Sequence, residues 1–211
     1  MIEQLLFIVV LIFSIVVHEC AHGIAAERAG DPTARMLGRI TLNPIPHIDL
    51  IGSIALPALL IISGSPFLFG WAKPVPVNPA YFRDRRRDEI RVSFAGPASN
   101  LILSVVFLFL SITWAVFGGA TPDSLFLSVF NIGMLINLVL AFFNLMPIPP
   151  LDGSHILENV LPPRFAQFMA QIRPYGFMIL ILVIMTPIIR IPFLPVKFIY
   201  NIYLDILRLF L

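Results

Sequence analysis

The chain is poor in charge and nearly devoid of cysteine. Only 12% of its residues are Asp, Glu, Lys or Arg, with one cysteine and four histidines. A lone cysteine excludes an internal disulfide. Charge at about half the level of an ordinary soluble domain excludes a polar surface of normal extent. There is no internal repeat and no low-complexity tail. What fills the space is apolar: 58% of residues are hydrophobic and the mean hydropathy is +0.93. This is the composition of a multi-pass integral membrane protein, with room for about four to six spans of about 20 residues each. The net charge of +2 and the pI near 9.0 come from loop arginines, which in a membrane protein set orientation rather than bind nucleic acid.

The first apolar run, about residues 4–28, starts Met-Ile-Glu-Gln with neither a basic flank nor an A-x-A-like site, so it reads as a retained span rather than a cleaved leader. It stops near Ala29-Gly30-Asp31-Pro32, where glycine can cap and proline cannot continue a helix. Residues 48–72 are apolar but carry Gly52, Pro57, Gly64 and Pro66. They run into Phe69-Gly70-Trp71-Ala72-Lys73-Pro74-Val75-Pro76-Val77, whose alternating prolines forbid a helix and predict an extended strand or edge. Further spans are expected at about 90–117 and 124–146, separated by Gly118-Gly119 and Thr121-Pro122-Asp123, with a short helix over 154–161. Two apolar segments, about 174–189 and 192–211, close the chain, the last carrying Lys197, Asp205 and Arg208 and so open to being an amphipathic or tilted helix. The expected fold is an all-α polytopic membrane protein: about five transmembrane helices plus a re-entrant helix/strand segment. It forms a single domain over 1–211, with a catalytic core at about 4–155 and C-terminal helices at about 174–211.

Inside the first span lies His18-Glu19-Cys20-Ala21-His22. Residues four apart share a helix face about 6 Å apart, so two imidazoles can reach one tetrahedral Zn2+ while Glu19, one residue round, faces a metal-bound water. Ionisable groups are costly in an apolar span and usually mark a function. Cys20 falls on the far side of the helix and reads as a small packing residue. A third zinc ligand must come from His47, Asp49, Asp152, His155 or Glu158. Asp152 is preferred, because it follows the Pro-rich break Pro147-Ile148-Pro149-Pro150 that ends a span, where irregular backbone can project a carboxylate inward. Its alternative role is to cap the helix at 154–161, on which His155 and Glu158 would support the ligands.

The placement of positive charge tests the arrangement. If residues 48–72 enter and return on one side, twelve of the fourteen Lys and Arg residues lie on the face that carries the motif, and only Arg190 and Lys197 lie opposite. Full crossing would split them nine to five. The lopsided count favours re-entry, with the motif's face cytoplasmic.

Taken together, His18-Glu19-x-x-His22, Gly96-Pro97-x-x-Asn100 and Asn144-x-x-Pro147-x-Pro149-x-x-Asp152-Gly153, in that order, resemble the site-2 protease family of intramembrane zinc metalloproteases. The stretches around Asn43-Pro44-Ile45-Pro46-His47 and 69–75 look like its compact prokaryotic subgroup without PDZ or CBS domains. The resemblance implies a zinc endopeptidase of a prokaryotic plasma membrane that cuts within or beside the transmembrane segment of another membrane protein. It also implies that His18, His22 and Asp152 hold zinc and that Glu19 is the general base. A developing oxyanion needs an amide donor as well as zinc, with Asn144 the first choice and Asn100 the second; Asn100 is equally suited to interhelical hydrogen bonding. Two other readings remain open: a membrane-embedded zinc peptidase acting on soluble or lipidated peptides, and a transporter whose intramembrane charges line a pathway.

Overall fold

The computed structural model describes residues 2–64, 70–118 and 124–210. Phe69 and most of the turn expected at 118–123 lie outside the described residues. Helices α1 (Ile2–Ala29), α4 (Arg85–Phe117) and α5 (Leu125–Asn144) pack mutually and form the centre of the molecule. Between them come the short α2 (Thr33–Met36) and α3 (Leu56–Ile62), and after them α6 (Asp152–Val160), α7 (Pro163–Ile172), α8 (Gly176–Met185) and α9 (Arg190–Arg208).

Four helical stretches among the described residues are long and apolar enough to cross a bilayer: Gln4–Ala29, Arg85–Phe117, Leu125–Asn144 and Arg164–Met185. The fourth begins earlier than the expected segment at 174–189 and bends through a 3-10 turn at Arg173–Tyr175. The fifth expected span, 192–211, is not among them. Lys197, Asp205 and Arg208 interrupt its apolar run, and α9 instead lays one face on α5 and α4, with Tyr203 Oη 3.4 Å from Ser104 Oγ.

The described parts of 48–72, residues 48–64 and 70–72, are joined to each other and to their flanks. Asp49 caps a π-helical turn, Leu50–Ala55, by accepting from the Ile51 and Gly52 amides at 3.0 and 2.7 Å. The apolar helix Leu50–Ile62 that follows is about 20 Å long at 1.5 Å per residue, short of a hydrocarbon core of about 30 Å. The two ends of the segment are bonded to each other: Lys73 N–H donates to His47 O at 2.9 Å, Trp71 N–H to Gly52 O at 3.2 Å, and Ser53 Oγ to Trp71 O at 2.8 Å. The described flanks of the segment therefore lie side by side.

The strand expected at 69–77 is not formed: residues 70–77 belong to no helix and pair with no strand among the described residues. Pro74 and Pro76 have no N–H, and several of the remaining polar groups are bonded to the rest of the protein. Val75 N–H donates to Glu19 Oε2 at 2.8 Å and Asn78 N–H to Asp31 Oδ2 at 2.6 Å, while Arg39 Nη2 donates to Lys73 O at 2.8 Å. The segment is thereby fastened along the C-terminal half of α1.

Candidate metal centre

Glycine at 96 allows the site to form. A Cβ built there would lie 2.6 Å from both Cε1 and Nε2 of His18, and closer still to His22 Nε2. Only hydrogen at that position lets α4 lie against the two imidazoles. Pro97 follows and is tolerated inside α4 with loss of one helical hydrogen bond. The small residues of the Gly96-Pro97-x-x-Asn100 pattern permit close helix contact, and the contact made is with the two imidazoles.

Each imidazole is oriented by its Nδ1. His22 Nδ1 lies 2.7 Å from Val92 O, an acceptor only, so the proton sits on Nδ1 and the Nε2 lone pair is free. His18 Nδ1 lies 2.6 Å from Asn100 Oδ1 and is held the same way. The two Nε2 atoms end 3.0 Å apart. Asp152, in the first turn of α6, brings Oδ2 to 3.2 Å from His18 Nε2 and 3.3 Å from His22 Nε2. That oxygen is buried and has no hydrogen-bond partner.

Two lone pairs and a carboxylate oxygen converging in this way repel one another unless a cation lies between them. A tetrahedral zinc with ligands about 2.0–2.1 Å away would set ligand edges of about 3.3–3.4 Å, close to the triangle observed. Among the described residues, His18, His22 and Asp152 are the group that could hold a metal ion. The donor set, two imidazoles and a carboxylate, is that of a catalytic zinc with an open fourth position.

α4 also fixes α6, and with it Asp152. Arg86 donates to Asn159 O and, at 2.9 Å, to Val160 O, the last carbonyls of α6. Glu89 Oε2 accepts from Asn159 Nδ2 at 2.7 Å. At the other end, Gly153 lies so close to the Leu145 and Met146 carbonyls that any Cβ would collide with them. Asp152 is therefore a first-turn residue and not the cap; the N-cap is Leu151.

Glu19, Asn144, His18, His22 and Asp152 all line one cavity of about 800 Å3, with Trp71 and Val75 on its wall. Asn144 spends one amide hydrogen on Leu140 O at 3.0 Å and faces the same space. Asn100 does not. Its amide nitrogen donates to Asn137 Oδ1 at 2.8 Å and to Ser14 O at 3.3 Å, which commits both hydrogens and leaves none for an oxyanion. The other candidates for the third ligand stand apart: His47 is buried against Thr41 O at 3.0 Å, Asp49 caps its π turn, and Glu158 pairs with Arg173 at 2.6 Å. His155 reaches the cavity, 3.9 Å from Glu158, without joining the metal group. Cys20 is buried, with Sγ on Thr41 O at 3.1 Å. Asn137 and Ser14 were missed by the sequence reading; polar residues within apolar spans were the available signal.

Comparison with known proteins agrees with this chemistry. The model of peptidase family M50 matches residues 6–119 and 112–186. YwhC of Bacillus subtilis, which carries a provisional zinc-metalloprotease name, is 40% identical over 184 residues, covering 86% of this chain and 80% of that protein. Rip2 of Mycolicibacterium smegmatis, named in the same provisional way, is 32% identical over 176 residues, 83% of this chain and 65% of the relative. The zinc metalloprotease MJ0392 of Methanocaldococcus jannaschii is 26% identical over 157 residues, covering 74% of this chain and 34% of that protein. No solved structure matches the chain. A family model that runs through the metal helix and beyond Asp152, with relatives named for the same metal, leaves one assignment: the chain belongs to peptidase family M50 and is a membrane-embedded zinc metalloprotease.

Proposed function

We propose that the enzyme is an intramembrane endopeptidase, with His18, His22 and Asp152 holding zinc, Glu19 as general base and Asn144 as the amide donor to the oxyanion. Its substrate is the transmembrane segment of another membrane protein, cut near the cytoplasmic boundary of a prokaryotic plasma membrane. The observation that carries this reading is the depth of the metal group. Arg28 closes α1 and Arg91 ends the charged start of α4, and arginines of this kind mark a membrane boundary. Counting inward at 1.5 Å per residue, His22 lies about 9 Å below Arg28, and Gly96, against the same imidazoles, about 8 Å below Arg91. Two helices give one depth below these arginines, which supports a site within the membrane.

Zinc, when bound, supplies Lewis acidity that brings the pKa of water down to about 7 and polarises a carbonyl. Glu19 takes the proton of the attacking water; the hydrogen bond from Val75 N–H to Oε2 orients its carboxylate and leaves the other oxygen for that transfer. The cavity lets water reach a place where lipid would exclude it. A substrate helix hides its carbonyls in its own hydrogen bonds and must unwind before attack. The segment at 70–78 is placed to hold the unwound stretch by strand addition.

The test is zinc content and cleavage of a single-span substrate in liposomes for wild type, Glu19→Gln and Asp152→Ala. The expected result is zinc and cleavage in the wild type, zinc without cleavage in Glu19→Gln, and loss of zinc in Asp152→Ala. Cleavage by Glu19→Gln, or a wild type that cuts soluble peptides and leaves the embedded substrate intact, overturns the proposal.

A further inference from the structure

Behind the metal group runs a chain of buried polar side chains that the chemistry described so far does not use. Ser14, Asn100 and Asn137 are each fully buried, on α1, α4 and α5 respectively. Their hydrogen bonds have one possible direction, because backbone carbonyls can only accept. Asn137 Nδ2 faces Gly133 O at 2.9 Å, so its amide nitrogen is on that side and its Oδ1 is turned to Asn100. Asn100 Nδ2 faces Ser14 O at 3.3 Å, so its Oδ1 is turned to His18. Ser14 Oγ donates to Val10 O at 2.8 Å, which leaves its lone pairs to accept from Asn137 Nδ2 at 2.9 Å. Read from the far end, Ser14 fixes Asn137, Asn137 fixes Asn100, and Asn100 offers His18 an acceptor and nothing else.

We propose that Asn137, with Ser14 behind it, is a positioning residue for the metal centre: together with the Ser14 carbonyl it holds Asn100 in the one orientation that keeps the His18 proton on Nδ1 and presents Nε2 to zinc. Were the Asn100 amide reversed, an N–H would face His18 Nδ1, the imidazole proton would move to Nε2, and that nitrogen could no longer bind a metal. His22 needs no such device, since a backbone carbonyl cannot be reversed. In an apolar span no water competes for these groups, so the relay holds its direction. Groups that orient a metal-bound histidine through its other nitrogen typically govern affinity by about 10- to 100-fold. The inference rests on the zinc reading above and adds residues that touch neither metal nor substrate.

The experiment compares wild type, Asn137→Leu, Asn137→Ala and the packing control Met134→Ala, which alters a fully buried apolar side chain on the same helix. Zinc affinity is measured by chelator competition, the melting midpoint is measured on zinc-free protein, and 15N shifts of labelled histidine locate the His18 proton. Both Asn137 variants should lose about 10- to 100-fold in zinc affinity, whereas Met134→Ala should lower the melting midpoint and keep wild-type affinity. Affinity within twofold of wild type in either folded Asn137 variant overturns the proposal. So does a His18 proton found on Nε2 in the zinc-loaded wild type, a measurement that needs no variant to fold. A wild type that binds no zinc at all refutes the zinc reading instead.

Discussion

Gly96→Ala puts one methyl group where α4 meets the zinc ligands. In a helix this change should by itself stabilise, by about 0.5–1 kcal/mol, because alanine loses less backbone freedom than glycine. Here the new Cβ would sit 2.6 Å from His18 Nε2 and Cε1. Ordinary contact needs roughly 3.5–4.0 Å, so either α4 recedes or the imidazoles move by about 1 Å. Neither is free to yield. Asn100 and the Val92 carbonyl, both on α4, hold the two histidines at 2.6 and 2.7 Å, so a retreat of α4 takes the orienting groups with it. Overpacking of this kind costs about 1–3 kcal/mol, and a misplacement of about 1 Å at a reacting centre costs on the order of 100-fold in rate. The expected variant folds with a modestly lower melting midpoint, binds zinc at least tenfold more weakly in chelator competition, and cleaves an embedded substrate about 100-fold more slowly even at saturating zinc. Zinc affinity and cleavage within threefold of wild type would show that the glycine is not what lets the metal centre assemble.

Stripping zinc with a chelator should abolish cleavage and lower the melting midpoint, since a ligand at 100 times its Kd stabilises by about 2.7 kcal/mol; re-addition of zinc should restore both, and an unchanged midpoint would count against a metal bound by the folded site. Arg86→Ala removes the donors to Asn159 O and Val160 O, and at about 1.5–3 kcal/mol for hydrogen bonds to a charged group it should loosen α6 and weaken zinc binding several-fold through Asp152; a loss of stability with zinc binding intact would place the effect elsewhere. Trp71→Glu, on the cavity wall, should lower cleavage of an embedded substrate while zinc content stays normal, and full cleavage would remove the segment at 70–78 from substrate capture. Asp31 gives the pH dependence. Burial pushes its carboxyl up, and the hydrogen bonds from Asn78 and Thr33 outweigh this and hold it below the usual carboxylate range. A carboxyl depressed by folding contributes stability above its unfolded pKa, about 3.9, and that contribution is lost as the pH falls through the lower folded value. Stability measured from pH 7 downward should therefore hold its Asp31 contribution to about pH 4 and lose it below, and Asp31→Asn should flatten that acid limb; an acid limb as steep in the variant as in the wild type would refute the assignment.

Much of the site could be read from spacing, because spacing is local. His18 and His22 share a face by helical period alone, and Asp152 was reachable because a Pro-rich break ends a span there. Asn137 and Ser14 were out of reach for a different reason, and so was the partner of Gly96, whose small size signals only close helix contact. A glycine chosen for close approach, or a polar side chain chosen for a partner on another helix, carries no periodic signature; its meaning is in the packing of α1, α4 and α5. The strand expected at 69–77 shows the converse. Its alternating prolines correctly exclude a helix, but they also remove N–H groups that a ladder needs, and Trp71, Lys73 and Val75 donate instead to Gly52 O, His47 O and Glu19. The re-entrant path expected at 48–72 followed from charge placement, whereas the bonds between its described parts and flanks, Lys73 to His47 and Trp71 to Gly52, join residues that no local pattern relates.

The proposed zinc ligands come from α1 and α6, yet the groups that place them come from α4. Val92 and Asn100 orient the imidazoles, Gly96 admits them, and Arg86 and Glu89 hold the far end of α6. These five residues fall within fifteen positions of one helix, so α4 is the common reference against which both ligand-bearing helices are registered. It follows that the ligands cannot be adjusted independently. A substrate or lipid that shifts α4 along its axis moves the partners of His18, His22 and Asp152 together, whereas one that pushes aside the segment at 70–78 reaches the site's side chains through the hydrogen bond between Val75 and Glu19. The geometry thus separates metal retention, which depends on α4, from the setting of the base, which depends on the segment a substrate would have to touch.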